Sequence, residues 1–402
     1  MRILIADAFE QSGLDALEAH GHHIDHRPHL RSEDLAEAVG KADVLVVRST
    51  RVEAETFAAA SPLSLVIRAG AGTNTIDVGA AAQRGVFVAN VPGKNAIAVA
   101  ELTMGLIIAL DRRIPDNVID ARAGQWNKRL YSQADGLLGK SLGILGLGQI
   151  GLAVMERAAA FGMRPLVIGK QRGEEATQRI KDAGAEIMSD VDELLATSDI
   201  VTLHLPARPE TKGMVNERFL GQLRPGAWIV NTSRGDMIDE AALLAAIGDK
   251  DLRVAIDVFA GEPSGSSGDF ISPLAQHPSV YTTHHIGAST AQAQEAIAAE
   301  VVAMILDYER GVARNVVNLT PPPPGGSILT IRHYDRVGVL SAVLATIKEA
   351  GLNVQEMHNQ VFAGAGAAVA IIHVAGEVPA EARAELVANP NLIHLSVRSV
   401  DP

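Results

Sequence analysis

An arginine, a glutamate and a histidine in the second half of the chain each follow a short apolar run. Arg234 stands in Asn231-Thr232-Ser233-Arg234-Gly235, Glu262 closes Asp257-Val258-Phe259-Ala260-Gly261-Glu262, and His285 follows Thr283-His284. An arginine fork grips a carboxylate in two places. A histidine, with an ordinary pKa of ~6.5, exchanges a proton near neutrality. An acid beside an imidazole orients it and favours its charged form. That set is what hydride transfer between a nicotinamide and a 2-hydroxy or 2-oxo acid requires. Taken singly, each residue is ordinary. An arginine after a strand is usually a surface residue, and a glutamate before a proline often belongs to a turn. One of 13 histidines in a loop means little, and spacing does not choose between His284 and His285.

A second motif supplies the cofactor. Gly146-Leu147-Gly148-Gln149-Ile150-Gly151 is G-x-G-x-x-G, placed after the apolar run 142–145 and before a helical pattern ending near Phe161. Strand before and helix after is the context a dinucleotide fingerprint needs. Gly146 permits the tight turn, Gly148 lets a pyrophosphate approach the backbone, and Gly151 lets helix and strand pack closely. The phosphates then meet the helix N-terminus. NAD sites carry an acid about twenty residues further on, at the end of the second strand. Here that strand runs into Ile168-Gly169-Lys170-Gln171-Arg172. Lys170 and Arg172 suit a 2′-phosphate, so NADP(H) is expected to serve at least as well as NAD(H). The plainer alternative is that Glu174 or Glu175 reaches back, or that these cations are simply solvated.

Strands must bring these groups to one edge. Apolar runs at 3–6, 44–47, 65–67 and 86–89 alternate with helical patterns, as do runs at 141–145, 166–168, 200–203, 228–231, 254–257 and 280–283. Both series read as βα units of parallel sheets, whose ligands bind at the carboxyl ends of the strands. Long helices are expected at 95–111 and 291–308. The second would return the chain to the first sheet. The expected domains are therefore 1–92 with 288–318 for substrate and 93–287 for the dinucleotide. Four prolines and two glycines at 321–326 mark a polyproline II spacer within a linker at 319–326. Beyond it, 327–402 reads βαββαβ, the ferredoxin-like order. The fold class is thus α/β, with two doubly wound, Rossmann-like parallel-sheet domains, one discontinuous, plus this small module.

Composition narrows the function. A net charge of −12 and 3% aromatic residues argue against a nucleic-acid-binding surface. With no cysteine, disulfides, thiolate metal sites and cysteine nucleophiles are excluded. No metal site is expected. Asp7 interrupts the N-terminal apolar run, which therefore reads as a strand and not a signal peptide. The stretch 97–110 is too short for a membrane span. A soluble, cytoplasmic protein is expected.

With these motifs in hand, residues 1 to about 318 resemble the D-isomer-specific 2-hydroxyacid dehydrogenases. The matching stretches are Arg68-Ala69-Gly70-Ala71-Gly72, Asn90-Val91-Pro92-Gly93-Lys94-Asn95, the glycine fingerprint, His204-Leu205-Pro206, Asn231 to Gly235, 257–263 and His285-Ile286-Gly287-Ala288-Ser289-Thr290. The resemblance implies that Arg234, Glu262 and His285 are catalytic, the second of the paired histidines being the acid/base. It implies cofactor contacts from Gln149, Ile150, Pro206, Thr232, Ser233, Asp257 and Gly287. It places substrate contacts at Arg48, Ser49 and the loop Gly70, Ala71 and Gly72. The family's acid falls at Gly169, a departure that bears on the choice of cofactor and not on the chemistry.

The C-terminal module resembles an ACT domain, a ligand-sensing module of amino-acid pathways, in His333 to Leu340 and in Gly351-Leu352-Asn353-Val354. A family member with one such domain implies oxidation of 3-phosphoglycerate to 3-phosphohydroxypyruvate in L-serine biosynthesis, with L-serine as effector. The effector residues would be His333, Asp335 and Asn353. Asp335 stands where an amide is usual and Val337 where a proline is usual. The alternative is a module that only joins subunits. A phosphorylated substrate needs further cations, for which Arg48, Arg51, Lys128 and Arg129 are candidates, the last two from a partner subunit. A homodimer or homotetramer is expected, with no nucleic acid or membrane partner. The rival readings are a glyoxylate or hydroxypyruvate reductase and, from a different class, a non-catalytic NAD(H)-sensing scaffold.

Overall fold

The computed structural model describes residues 1–58, 62–263, 268–320, 325–364 and 366–400. The chain divides into two compact units, Met1–Asn318 and Leu319–Pro402. The prolines at 321–324, read above as a spacer, lie outside the described residues.

The first unit contains two parallel sheets. Strands β1 (Arg2–Ile5), β2 (His23–His26), β3 (Val44–Val47), β4 (Leu65–Arg68) and β5 (Phe87–Asn90) form one, in the order β2-β1-β3-β4-β5. Strands β6 (Ser141–Leu145), β7 (Arg164–Ile168), β8 (Glu186–Met188), β9 (Ile200–Leu203), β10 (Trp228–Asn231), β11 (Arg253–Ile256) and β12 (Val280–Thr282) form the other, in the order β12-β11-β10-β9-β6-β7-β8. Both are doubly wound. The strand order reverses between β1 and β3 in the first sheet and between β6 and β9 in the second, and crevices open at such points. Central strands such as β3, β9 and β10 are buried along their whole length. They read as unbroken apolar runs because helices cover both faces.

Two long helices tie the sheets to their layers. The helix Ala96–Arg112 presses Ala100, Met104, Ile107 and Leu110 against Leu142, Ile144 and Met155 of the second sheet's core. The helix Ala291–Glu309 begins where the Thr290 hydroxyl caps the Ala293 N–H at 3.2 Å. It packs Ile297, Val301, Met304 and Ile305 with Ile3, Ile5, Val46 and Ile67 of the first sheet.

The second unit is an antiparallel sheet, β13 (Ser327–Tyr334), β14 (Val354–Val361), β15 (Ala367–Val374) and β16 (Leu392–Ser399), in the order β14-β15-β13-β16. With the helices Val339–Glu349 and Ala380–Ala388 it has the βαββαβ order. Its core gathers Leu329, Ile331, Val343, Ile347, Ala370, Ile372 and Leu386. The fold class expected from the sequence is the one observed.

Two strands are absent from the sequence reading, β2 and β8. Both lie at sheet edges and are polar or only three residues long, so they carry little apolar signal. Between β2 and β3 the helical pattern is broken into a 3-10 turn Ser32–Asp34, one helical turn Leu35–Ala38 and a second 3-10 turn Val39–Lys41. Among the described residues, no helix is long and apolar enough to cross a membrane.

Candidate active site

The loop after β12 turns sharply at His285, whose φ is 52°. A left-handed backbone is uncommon for a residue with a Cβ, and here the neighbouring strand end enforces it. The His285 N–H donates to the Asp257 carbonyl at 2.7 Å. The buried Asp257 carboxylate accepts from the Thr283 hydroxyl at 2.6 Å, the Ile286 N–H at 2.8 Å and the Gly287 N–H at 2.9 Å. A Cβ on Gly287 would lie 3.0 Å from that carboxylate. Asp257 and Gly287 therefore fix the loop that presents His285.

Glu262 meets this loop from the end of β11. Its Oε2 lies 2.7 Å from His285 Nδ1, and its Oε1 accepts the Phe259 N–H at 2.6 Å. Partial burial works to raise the Glu262 pKa. The hydrogen bonds from His285 and Phe259, with the charges of His285 and Arg234, outweigh it and hold the group below the usual carboxylate range. The pair leaves Nε2 as the imidazole nitrogen not engaged by Glu262.

Arg234 arrives from the loop after β10. Asn231 builds that loop: its Oδ1 accepts the Ser233 N–H and hydroxyl at 3.0 and 2.8 Å, and its Nδ2 donates to the Arg234 carbonyl at 2.8 Å. Thr232, also buried, sits 3.0 Å from the Thr103 hydroxyl. Burial lowers the Arg234 pKa, which Asp236 and Glu262 partly restore. A Cβ on Gly72 would lie 2.4 Å from Arg234 Nη2. The glycine thus makes room for the guanidinium of the facing sheet's partner loop.

Gly70 does the same for Arg68, since a Cβ there would overlap that guanidinium. Arg68 Nε donates to the Arg48 carbonyl at 3.1 Å. Burial and the charges of Arg234 and Arg48 push the Arg68 pKa down to about 10, against a smaller opposite pull from Asp7. Three guanidiniums, those of Arg48, Arg68 and Arg234, therefore share one region. Asp7, after β1, does not neutralise them by pairing. Its Oδ2 accepts the N–H groups of Arg48, Ser49 and Thr50 at 2.6, 3.1 and 3.1 Å. The Gly70 N–H is engaged by the Arg68 carbonyl at 2.7 Å.

The glycine fingerprint occupies the reversal point between β6 and β9. Gly146 has φ 101°, and a Cβ there would come within 2.4 Å of the His204 carbonyl. A Cβ on Gly151 would lie 2.0 Å from the Gly146 carbonyl. Gly148 has open space around it and precedes the helix Gln149–Ala160 without capping it by a side chain. This cradle suits a pyrophosphate. Ile150 packs on the core beside it, while the Gly93 Cβ position lies 3.6 Å from Gln149 Cγ. Pro206 follows β9, and its carbonyl accepts the Thr211 hydroxyl at 2.8 Å. Lys170 is exposed at the end of β7.

The structure thus brings Arg234, Glu262 and His285 together with Arg48, Gly70 and Gly72. Arg51, Lys128 and Arg129 are exposed, and no described contact joins them to this group. Arg68 and Asp7 were not singled out from the sequence as site residues. Arg68 had a signal, standing in the matched stretch Arg68 to Gly72. Asp7 had only its place after the first strand. In the second unit His333 is buried, its Nδ1 2.8 Å from the Tyr334 carbonyl and its Nε2 3.0 Å from Asn359 Oδ1. Asp335 and Asn353 are exposed.

Comparison with known proteins identifies the family. The profile of the D-isomer specific 2-hydroxyacid dehydrogenase, NAD binding domain, matches residues 104–287. The D-3-phosphoglycerate dehydrogenase of Methanocaldococcus jannaschii is 37% identical over 326 residues, covering 80% of this chain and 60% of that protein. This chain therefore spans about three fifths of that relative's length. The D-3-phosphoglycerate dehydrogenase of Escherichia coli K12 is 34% identical over 401 residues, covering 98% of this chain and 96% of that one. A glyoxylate reductase from Paecilomyes thermophila superposes with a TM-score of 0.69 at 27% identity, over 79% of this chain and 98% of that one. With a relative matched almost end to end, the chain belongs to the D-isomer-specific 2-hydroxyacid dehydrogenases.

Proposed function

We propose that the chain oxidises 3-phosphoglycerate to 3-phosphohydroxypyruvate, the entry to L-serine synthesis. The observation that carries this is the gathering of Arg48, Arg68 and Arg234 beside the His285–Glu262 pair. Three like charges held together cost free energy unless an anion joins them. One carboxylate needs a single fork, whereas a carboxylate and a phosphate on one small molecule employ all three. The matches to two D-3-phosphoglycerate dehydrogenases support the same substrate.

In this reading Arg234 holds the substrate carboxylate beside Gly72. Arg48 and Arg68 face the phosphate. A nicotinamide nucleotide held at Gly146, Gly148 and Gly151 would supply the acceptor for the hydride of C2. His285 Nε2 takes the C2 hydroxyl proton as that hydride leaves, and Glu262 stabilises the imidazolium through Nδ1. In the reverse direction His285 returns the proton to the carbonyl oxygen. Asp257, Thr232, Ser233 and Gly287 act by fixing the two loops that carry Arg234 and His285.

The domain division follows the same logic. Residues 1–92 with 288–318 make the substrate half, since the returning helix packs on the first sheet, and 93–287 make the nucleotide half. Residues 319–326 form a linker, and 327–402 form a regulatory ACT module that binds L-serine through His333, Asp335 and Asn353. The assembly is a homodimer or homotetramer in the cytoplasm. Ile119, Trp126 and Leu138, 63%, 89% and 85% exposed, are large apolar side chains that a second copy would cover.

A second reading, glyoxylate or hydroxypyruvate reductase, is favoured by the absence of an acid at Gly169, which suits NADPH-dependent reduction. A coupled assay decides between them. Turnover of 3-phosphoglycerate that falls on adding L-serine is the expected result. Reduction of hydroxypyruvate and glyoxylate with no 3-phosphoglycerate activity would establish the second reading. Nucleotide binding without turnover of any 2-oxo acid would mark a sensing scaffold.

A further inference from the structure

The end of β7 differs in charge from the site an NAD enzyme builds there. The Gly169 N–H donates to the Met188 carbonyl at 2.9 Å, and its backbone lies outside the left-handed region. A Cβ there would meet Ile187 Cγ2 at 3.1 Å and the Met188 carbonyl at 3.6 Å. Ile187 is 57% exposed and can give way. Backbone geometry therefore does not demand glycine, yet the acid that would bind a ribose 2′-hydroxyl is missing.

Arg172 folds back over the same strand end. Its Nη1 donates to the Lys170 carbonyl at 3.0 Å and its Nη2 to the Ile168 carbonyl at 3.1 Å. Those two bonds fix the guanidinium and leave the rest of its donors for a ligand. The Lys170 side chain stands exposed beside it. Among the described residues, neither cation pairs with a carboxylate. Arg179, by contrast, is committed to Glu156 at 2.6 Å. Glu174 and Glu175 lie exposed at the start of the following helix, and Glu175 acts electrostatically on Arg179. In a doubly wound sheet the adenosine ribose lies over the strand next to the glycine loop, which here is β7.

We propose that Lys170 and Arg172 form a ribose 2′-phosphate subsite, so that the chain binds NADP(H) at least as tightly as NAD(H). This rests on the crevice being the nicotinamide nucleotide site. Arg172 is pre-positioned by two main-chain acceptors, and Lys170 adds a second, mobile charge. Gly169 removes the carboxylate that would repel the phosphate.

The test is equilibrium binding of NADPH and NADH to the full chain, followed by nucleotide fluorescence, with 2′-AMP and 5′-AMP as competitors. The unmodified protein should bind NADPH at least as tightly as NADH, and 2′-AMP should compete better for NADPH than 5′-AMP does. The double variant Lys170→Ala/Arg172→Ala should weaken NADPH by at least about tenfold, as loss of a charge-assisted phosphate contact implies, with NADH changed less than about twofold. Gly169→Asp should shift preference toward NADH. Tenfold tighter NADH binding by the unmodified protein, or a double variant that loses both nucleotides equally, would overturn the subsite. Binding of neither nucleotide would instead overturn the reading of the crevice itself.

Discussion

Arg68 is held among like charges, with its pKa pushed down to about 10. A cation in that position gains more from a substrate that carries a phosphate as well as a carboxylate than from a carboxylate alone. Arg68→Gln is expected to raise the KM for 3-phosphoglycerate by about tenfold or more, the scale of a lost charge-assisted bond. The KM for hydroxypyruvate, which lacks the phosphate, should change far less. Steady-state kinetics on both substrates checks this, and an equal rise on both would remove the phosphate role. At this scale the sequence was partly legible. Arg234, Glu262 and His285 stood out because each follows a strand. The left-handed turn at His285 was not legible, because it is imposed by hydrogen bonds that the loop donates to Asp257, 28 residues earlier in the chain. Arg68 stands in a recognisable motif, but its nearness to Arg234 depends on Gly70 and Gly72, which leave space for the two guanidiniums.

The strand ends set which residues meet. Asp7 follows β1 and Arg48 follows β3, and these two strands are neighbours where the first sheet reverses order. That adjacency lets one carboxylate oxygen hold three consecutive N–H groups of the loop carrying Arg48. Asp7→Ala should loosen the loop and cost about 2–3 kcal/mol of stability, since hydrogen bonds to a charged group are the stronger kind. The expected kinetic signature is a raised KM with a smaller change in kcat. A variant with unchanged KM and a lowered melting temperature would make Asp7 purely structural. Buried central strands could be read from apolar runs. The edge strands β2 and β8 could not, because polar residues at a sheet edge look like loop. Sheet order is likewise invisible in a chain of βα units, so Asp7 could not be paired with Arg48 from sequence.

At the scale of the whole molecule, His204, at the end of β9, predicts a pH dependence of stability. Its Nε2 lies 3.0 Å from the Thr202 hydroxyl, and its Nδ1 is buried without a hydrogen-bond partner among the described residues. Burial lowers its pKa from 6.5 to about 3. The folded ring is therefore neutral where the unfolded one is protonated, between pH 6.5 and 3. Unfolding takes up a proton in that window, so stability falls as pH falls, by about 1.4 kcal/mol per pH unit for one full proton. Above that window the group contributes no slope. Urea unfolding across mildly acid pH should show a shallower dependence in His204→Asn, and an identical slope in both proteins would assign the effect elsewhere. The two compact units also predict that residues 1–318, which contain every proposed catalytic group, keep oxidoreductase activity when expressed alone and lose any response to L-serine.

The central claim is that His285, oriented by Glu262, moves the proton of a bound 2-hydroxy acid while Arg234 holds it. Stopped-flow measurement of the first turnover, read as reduced nicotinamide formed from 3-phosphoglycerate, tests it most directly in the unmodified protein and in His285→Asn. The variant should bind the nucleotide as tightly as the parent and form product at least about a hundredfold more slowly, the usual worth of a general base. A first turnover at the parent's rate in that variant would contradict the account.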